Sequence, residues 1–391
     1  MNLRGLDRLG SRKHIFAVLV SLLATLVACN APGVVGMAAL PSTPPTGLRA
    51  DELASANHPN PIEPPEPTAQ AASANSSVQL TPTATEVVFE VGKEITIPYL
   101  RSLEISGSPI TFEQELTPTF YYQQHLASYI SEGNKIFGLL TIPNTEPPDT
   151  GFKAIVFNHG YNPPDTYQTT ERYAAYVDYL ARNGFVCFKI DFRGHGQSEG
   201  QPTGSYFSPG YTIDAIAALK SLQTLDIVDP QGIGMWGHSM AGNLVLRAML
   251  IEPDIQAGVI FGGAVYSYDD FATYGIDDNT YRPPTTQDES DPPRRSQEIF
   301  EVYGRPDTAT GYWQAVSLTE NISFLDRPLQ LHHAQDDPVV NIRYSEDLAA
   351  VLLRNGKEYE FYVYEGGGHN FFSPYFDQAM QRTVEFFQDH L

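Results

Sequence analysis

From Val87 onward, short apolar runs bounded by turn residues set up a repeating pattern. Runs rich in β-branched and aromatic residues at 87–91, 94–97, 119–123, 126–130 and 135–142 predict an opening group of antiparallel strands. A longer apolar strand at 153–158 follows and stops at His159-Gly160. Beyond it, helical and extended periodicities take turns. Helices are predicted at about 169–183, 213–225, 239–251, 341–355 and 375–390, and strands at 185–190, 232–236, 257–261, 328–332 and 358–364. Strand and helix in alternation imply a mainly parallel central sheet with helices on both faces. Functional groups then belong at the carboxyl ends of the strands. The irregular stretch at about 266–323 is long for a connection and reads as a lid-like insertion.

The chain upstream has a different texture. Residues 1–14 carry Arg4, Arg8, Arg12 and Lys13, and residues 15–27 hold no charge. An apolar stretch of that length is short for a membrane span of about 20 residues but suits the core of an export signal. It ends in Leu26-Val27-Ala28-Cys29, which resembles the bacterial lipobox. The expectation is a signal peptide over 1–28 and a lipid on Cys29 that tethers the chain to a membrane. Residues 30–85 contain no Phe, Trp or Tyr and many prolines, among them Pro44, Pro45, Pro64, Pro65 and Pro67. Such composition cannot bury enough apolar surface to offset its ordering entropy, so 29–85 reads as a Pro-rich tether and 86–391 as the folded domain.

Charge and cysteine content narrow the function classes. The formal net charge of −22 would repel nucleic acid and anionic lipid surfaces. Besides Cys29 there is only Cys187, within an apolar strand pattern, so neither a disulfide framework nor a Cys-rich metal site is available. No histidine cluster has the spacing of a zinc site. The acidic residues Asp269, Asp270, Asp277, Asp278, Asp288, Glu289 and Asp291 are scattered through the insertion and read as a solvated lid rather than a calcium loop. No cofactor is implied.

Gly237-His238-Ser239-Met240-Ala241 lies between a predicted strand and a predicted helix. A turn that holds a serine in a strained conformation at a helix N-terminus needs small residues two positions away on each side. Gly237 and Ala241 meet that need, with Ala where Gly is usual. A nucleophilic serine requires a base and a group to orient it, here in the chain order Ser, acid, His. Asp336 and Asp337 follow one strand, and His369 follows the next within Gly366-Gly-Gly-His369. Asp336 is the expected acid, with Val339 and Val340 as apolar support, whereas Asp337 precedes Pro338 and is expected to shape the turn. His332 and His333 lie on a strand and are expected to be packed or hydrogen-bonded, and His238 is the variable neighbour of the nucleophile. Met240 N–H and Tyr161 N–H are the expected oxyanion donors, with Gly160 giving the second its backbone freedom.

About residues 130–391 resemble the catalytic domain of the prolyl oligopeptidase family of α/β-hydrolases. The matching pieces are Asn158-His-Gly160, Asp191-Phe-Arg-Gly-His-Gly-Gln-Ser198, Trp236-Gly-His-Ser-Met-Ala-Gly242, His332-His-Ala-Gln-Asp-Asp-Pro-Val339 and Gly368-His-Asn370. The resemblance implies an α/β-hydrolase fold with Ser239, Asp336 and His369 as its triad. The chain departs from the family in lacking room for a β-propeller between Thr85 and Lys135 and in showing no double-Glu clamp for an amino terminus. The expected activity is that of a serine hydrolase, a peptidase acting on short peptides or amino-acid derivatives. A carboxylesterase for small or acetylated esters needs the same machinery, and a catalytically silent lipoprotein that binds a ligand in the cleft is the reading from another class.

Overall fold

The computed structural model describes residues 89–276, 295–308 and 311–391. Cys29, the signal peptide and the tether at 29–85 lie outside the described residues. Among the described residues nine strands form one sheet: β1 (Thr111–Glu115), β2 (Tyr122–Ser131), β3 (Asn134–Pro143), β4 (Phe152–Asn158), β5 (Val186–Ile190), β6 (Val228–His238), β7 (Gly258–Phe261), β8 (Leu329–Ala334) and β9 (Tyr359–Tyr364). Their order across the sheet is β1-β2-β3-β5-β4-β6-β7-β8-β9. The pairs from β1 to β5 through β2 and β3 are antiparallel, and all pairs from β5 onward are parallel.

The alternation of side chains along each strand divides the core. On β4, Ala154 and Val156 face one layer while Ile155 and Phe157 face the other. The first layer is covered by α1 (Ile97–Arg101), by helices at Gly210–Leu222 and Met240–Ile251, and by one at Arg343–Arg354. The second is covered by α2 (Ala174–Arg182), through Tyr176, Val177 and Leu180, and by the C-terminal helix Tyr375–His390, through Ala379, Met380, Val384 and Phe387. Trp236 stacks on Phe157 with ring centroids 4.1 Å apart, locking β6 to β4 beneath the site. We designate the helices at Gly210–Leu222 and Met240–Ile251 α3 and α4.

Two local expectations are corrected, and one strand is added. Residues 94–97 are not a strand: Lys93–Ile95 is a short 3₁₀ turn that runs into α1, where Pro98 stands in the first turn. A proline there loses no hydrogen bond and its fixed φ suits a helix start. Strand β1, unread in the sequence, has all five residues exposed at the sheet edge, so it has no apolar alternation to betray it. Helix α2 begins at Ala174, because Tyr173 has φ 61° and cannot continue a right-handed helix. The described part of 266–323 holds three short helices, Tyr268–Tyr274, Arg295–Tyr303 and Gly311–Val316, packed through Tyr268, Ile299, Tyr312, Trp313 and Val316.

Candidate active site

Ser239 follows the last residue of β6 and precedes the first of α4, with φ 56° and ψ −120°. Such a backbone is strained for a non-glycine residue and persists only where the surroundings fix it. They do so here. Ser239 N–H donates to Phe261 O of β7 at 2.9 Å, and Gly242 N–H donates to Ser239 O at 2.9 Å. A Cβ on Gly237 would meet Ala241 O and Val245 Cγ2 at 2.7 Å, so the tight crossing of strand and helix requires glycine at that position. Met240 opens α4, where first-turn N–H groups have no intrahelical partner.

The loop after β4 closes on Ser239. A Cβ on Gly160 would lie 3.2 Å from Ser239 Cβ, 3.1 Å from His238 O and 2.7 Å from Tyr173 Oη. Tyr161 is the next residue, so the peptide expected to serve the oxyanion borders the serine. Beneath this loop His159 is fully buried, stacked on Tyr167 at 4.6 Å. Burial, with His195 nearby, holds its pKa well below the usual imidazole range. Lys189 and Asp191 are buried at the same strand end, joined through Tyr167 and Thr169. Burial pushes the Lys189 ammonium down to about 8 and the Asp191 carboxyl up to about 6.

The expected acid, Asp336, is not on the imidazole. His369 Nδ1 lies 2.8 Å from Asp337 Oδ2, and the Asp337 side chain is only 1% exposed. The reason is a division of labour between the two carboxylate oxygens. Asp337 Oδ1 accepts the N–H groups of Val339 at 2.8 Å and Val340 at 2.9 Å, so it shapes the turn around Pro338 as expected. That same turn aims Oδ2 inward at His369. Asp336 is exposed, and its Oδ1 accepts Gly368 N–H at 2.8 Å, which pins the backbone just before the histidine.

His333, fully buried, backs the pair. Its Nε2 donates to Val340 O at 3.0 Å and stands 3.4 Å from Asp337 Oδ2, while Nδ1 accepts from Ser345 Oγ at 2.7 Å. Burial alone would raise the Asp337 carboxyl. The hydrogen bonds from His333 and His369 and the Val340 N–H outweigh it and hold the group well below the usual carboxylate range. Asp337 is therefore an anion at neutral pH, an acceptor that keeps the His369 proton on Nδ1. Gly262, at φ 51° after β7, makes room: a Cβ there would sit 3.3 Å from Asp337 Oδ2 and 3.4 Å from His369 Nδ1.

His238, between β6 and Ser239, is buried, and its ring lies 4.5 Å from that of His369. Nothing in the sequence marks this contact. His332, also buried, bonds Tyr364 Oη and Gln330 Oε1 at 2.8 and 2.7 Å and has no part in the site. Among the described residues no group of three or more His, Cys, Asp or Glu side chains could hold a metal ion. The Asp337 assignment had one sequence signal, an Asp-Pro followed by two residues whose N–H groups can turn back on the carboxylate. Gly262 carried none.

Residues 151–275 match the family model described as serine aminopeptidase, S33, and residues 215–391 match the C-terminal model of BAAT / acyl-CoA thioester hydrolases. The acyltransferase drtE of Aspergillus calidoustus is 33% identical over 100 residues, 26% of this chain and 31% of that protein. The chain thus spans about a third of the length of this relative. Acetyl xylan esterase 1 of Thermoanaerobacterium sp. JW/SL YS485 superposes with a TM-score of 0.53 at 16% identity, covering 74% of this chain and 90% of that one. Dipeptidyl peptidase 4 of Porphyromonas gingivalis gives 0.53 at 18% identity, covering 69% of this chain and 36% of that one. At these identities the structural likeness is one of fold. The sheet order, the strained serine between β6 and α4 and the matched family models agree: the chain has the α/β-hydrolase fold.

Proposed function

We propose that the chain is a serine-dependent acyl hydrolase working through an acyl-enzyme, with Ser239 as nucleophile, His369 as general base and Asp337 as the carboxylate that orients it. The observation that carries this reading is the 2.8 Å bond from His369 Nδ1–H to the buried Asp337 carboxylate, at the strand end beside the strained serine. With the Nδ1 proton held there, His369 Nε2 is the atom that accepts a proton. Ser239 Oγ attacks the substrate carbonyl carbon as its proton passes to His369 Nε2. The imidazolium then protonates the leaving group, the carbonyl–leaving-group bond breaks, and water repeats the sequence to release the acid. Met240 N–H and Tyr161 N–H would receive the developing oxyanion.

A fluorophosphonate probe tests the reading, since it labels an activated serine without regard to substrate. Labelling of the folded wild type and its loss in Ser239→Ala are expected. Folded protein that stays unlabelled, or a Ser239→Ala variant that still labels, would defeat it.

The leaving group divides the finer readings. Short peptides or amino-acid derivatives follow from the motif resemblance to prolyl oligopeptidases and accord with the aminopeptidase description of one matched family. Small esters are the second reading, favoured by a thioester-hydrolase description for the other family. Turnover of aminoacyl anilides supports the peptidase, and turnover of short p-nitrophenyl esters alone removes it. We also propose that the enzyme is exported and held at a membrane by acyl chains on Cys29. Metabolic labelling with palmitate, abolished in Cys29→Ala, is the expected result, and an unlabelled wild type would refute it.

A further inference from the structure

The nucleophile's neighbour, His238, makes two hydrogen bonds, and their chemistry fixes their direction. Its Nε2 lies 2.8 Å from the carbonyl oxygen of His369. A carbonyl only accepts, so Nε2 carries the proton and Nδ1 does not. Nδ1 lies 2.8 Å from Tyr173 Oη and must accept from it. With its proton committed to His238, Tyr173 Oη accepts the N–H of Gly160 at 2.9 Å. The result is one chain in a single sense, from Gly160 N–H through Tyr173 Oη–H and the His238 ring to the His369 carbonyl. It joins the loop after β4 to the loop that carries the base, and crosses over the residue before Ser239.

Two further observations tie this chain to the site rather than to general packing. Tyr173 sits at φ 61°, a conformation a bulky residue keeps only under constraint, and its hydroxyl is bonded at both Gly160 and His238. One turn into α2, Tyr176 Oη donates to Asn370 O at 2.7 Å, so two tyrosines of one helix start hold successive carbonyls of the base loop, one directly and one through His238. Burial and the neighbouring His369 push the His238 imidazole down to about 3, so it stays neutral and the sense of the chain holds across the working pH range.

We infer that Tyr173 and His238 are positioning residues that hold the oxyanion loop at Gly160–Tyr161 and the base loop at His369 in register with Ser239. The inference rests on the acyl-hydrolase reading above. Tyr173→Phe keeps the ring but leaves Gly160 N–H and His238 Nδ1 without this partner. His238→Gln can place a donor near the His369 carbonyl, but its amide oxygen lies at the far end of the side chain and leaves no acceptor at the Nδ1 position that meets Tyr173. His238→Asn offers that acceptor but cannot reach His369.

The experiment combines kinetics on a p-nitrophenyl ester and an aminoacyl anilide, fluorophosphonate labelling rates, thermal melting, and ¹⁵N NMR of the histidine rings. Tyr173→Phe should lower kcat by about 10- to 100-fold with KM within about threefold, because positioning acts on the transition state. Its labelling rate should fall in parallel while its melt remains cooperative. Tyr173→Phe combined with His238→Asn should lose no more than the worse single variant, since both break one chain. The wild-type His238 ring should show a protonated Nε2 and an unprotonated Nδ1. Activity of Tyr173→Phe within about twofold of wild type, fully multiplicative losses in the double variant, or a loss in proportion to unfolded protein alone would each overturn the inference. The opposite His238 tautomer would overturn it whatever the activity. A wild type that neither turns over nor labels would instead sink the acyl-hydrolase reading, and the positioning role with it, even where the tautomer is as expected.

Discussion

Asp337→Asn should remove most of the activity, and the route is set by the turn that holds the side chain. Oδ1 accepts two backbone N–H groups, from Val339 and Val340, so the asparagine must place its carbonyl oxygen there. Its NH₂ then faces His369 Nδ1 at the position now 2.8 Å away. Two donors cannot face each other, so His369 moves its proton to Nε2 and accepts from the amide with Nδ1. An Nε2 that already holds a proton cannot take one from Ser239. In serine proteases the same tautomer inversion costs about 10⁴-fold in kcat, or about 5.5 kcal/mol of barrier, and a loss of that order is expected here. Asp336→Asn keeps a carbonyl to accept Gly368 N–H and should stay within about threefold of wild type, while Asp336→Ala loses one exposed hydrogen bond worth about 1 kcal/mol. The assay is kcat on a short p-nitrophenyl ester, normalised to folded protein by circular dichroism, because Asp337→Asn also loses charge-assisted bonds worth about 1.5–3 kcal/mol each. Equal losses at 336 and 337, or a larger loss at 336, would refute the reasoning.

Other substitutions have equally definite outcomes. Gly160→Ala places a methyl group 2.7 Å from Tyr173 Oη and 3.2 Å from Ser239 Cβ, so turnover should fall at least tenfold while far-UV circular dichroism is unchanged; wild-type turnover would show that the loop yields freely. Trp313→Ala empties a fully buried site among Tyr268, Ile299 and Tyr312 and should cost about 3–5 kcal/mol by denaturant melting; a loss under about 1 kcal/mol would mean that this cluster does not hold the helices of 266–323 in place. Burial raises the Asp270 carboxyl to about 7, and raises Asp191 to about 6, so both bind a proton more tightly folded than unfolded. Their contribution is fully present below about pH 4 and is lost as pH rises to about 7. Melting temperatures measured from pH 4 to 8 should therefore fall less steeply in Asp270→Asn than in wild type, and parallel curves would contradict the assignment.

Much of this arrangement could be read from the chain. Gly237-x-Ser239-x-Ala241 between an apolar strand and an apolar helix locates a strained serine, because few other backbones need small residues on both sides. The parallel strands were legible as nearly unbroken apolar runs, since both faces are covered. Asp336 and Asp337 could not be ranked by the same means. They are adjacent at one strand end, and the choice depends on which oxygen the turn leaves pointing inward. Nor does a sequence show that His238 spans from Tyr173, 65 residues before it, to His369, 131 residues after it. Residues 94–97 look like a strand by composition, yet Pro98 decides in favour of a helical start.

The strand order has a consequence for how the proposed centre assembles. Gly160, Ser239, Gly262, Asp337 and His369 follow five different strands, β4, β6, β7, β8 and β9, that are consecutive in the sheet. No contiguous segment of the chain holds the whole centre, and each parallel pairing closes a long loop before it is rewarded. Reactivity should thus be among the last properties to appear during refolding. Fluorophosphonate incorporation should lag the recovery of helical signal, which makes the nucleophile a reporter of completed sheet assembly.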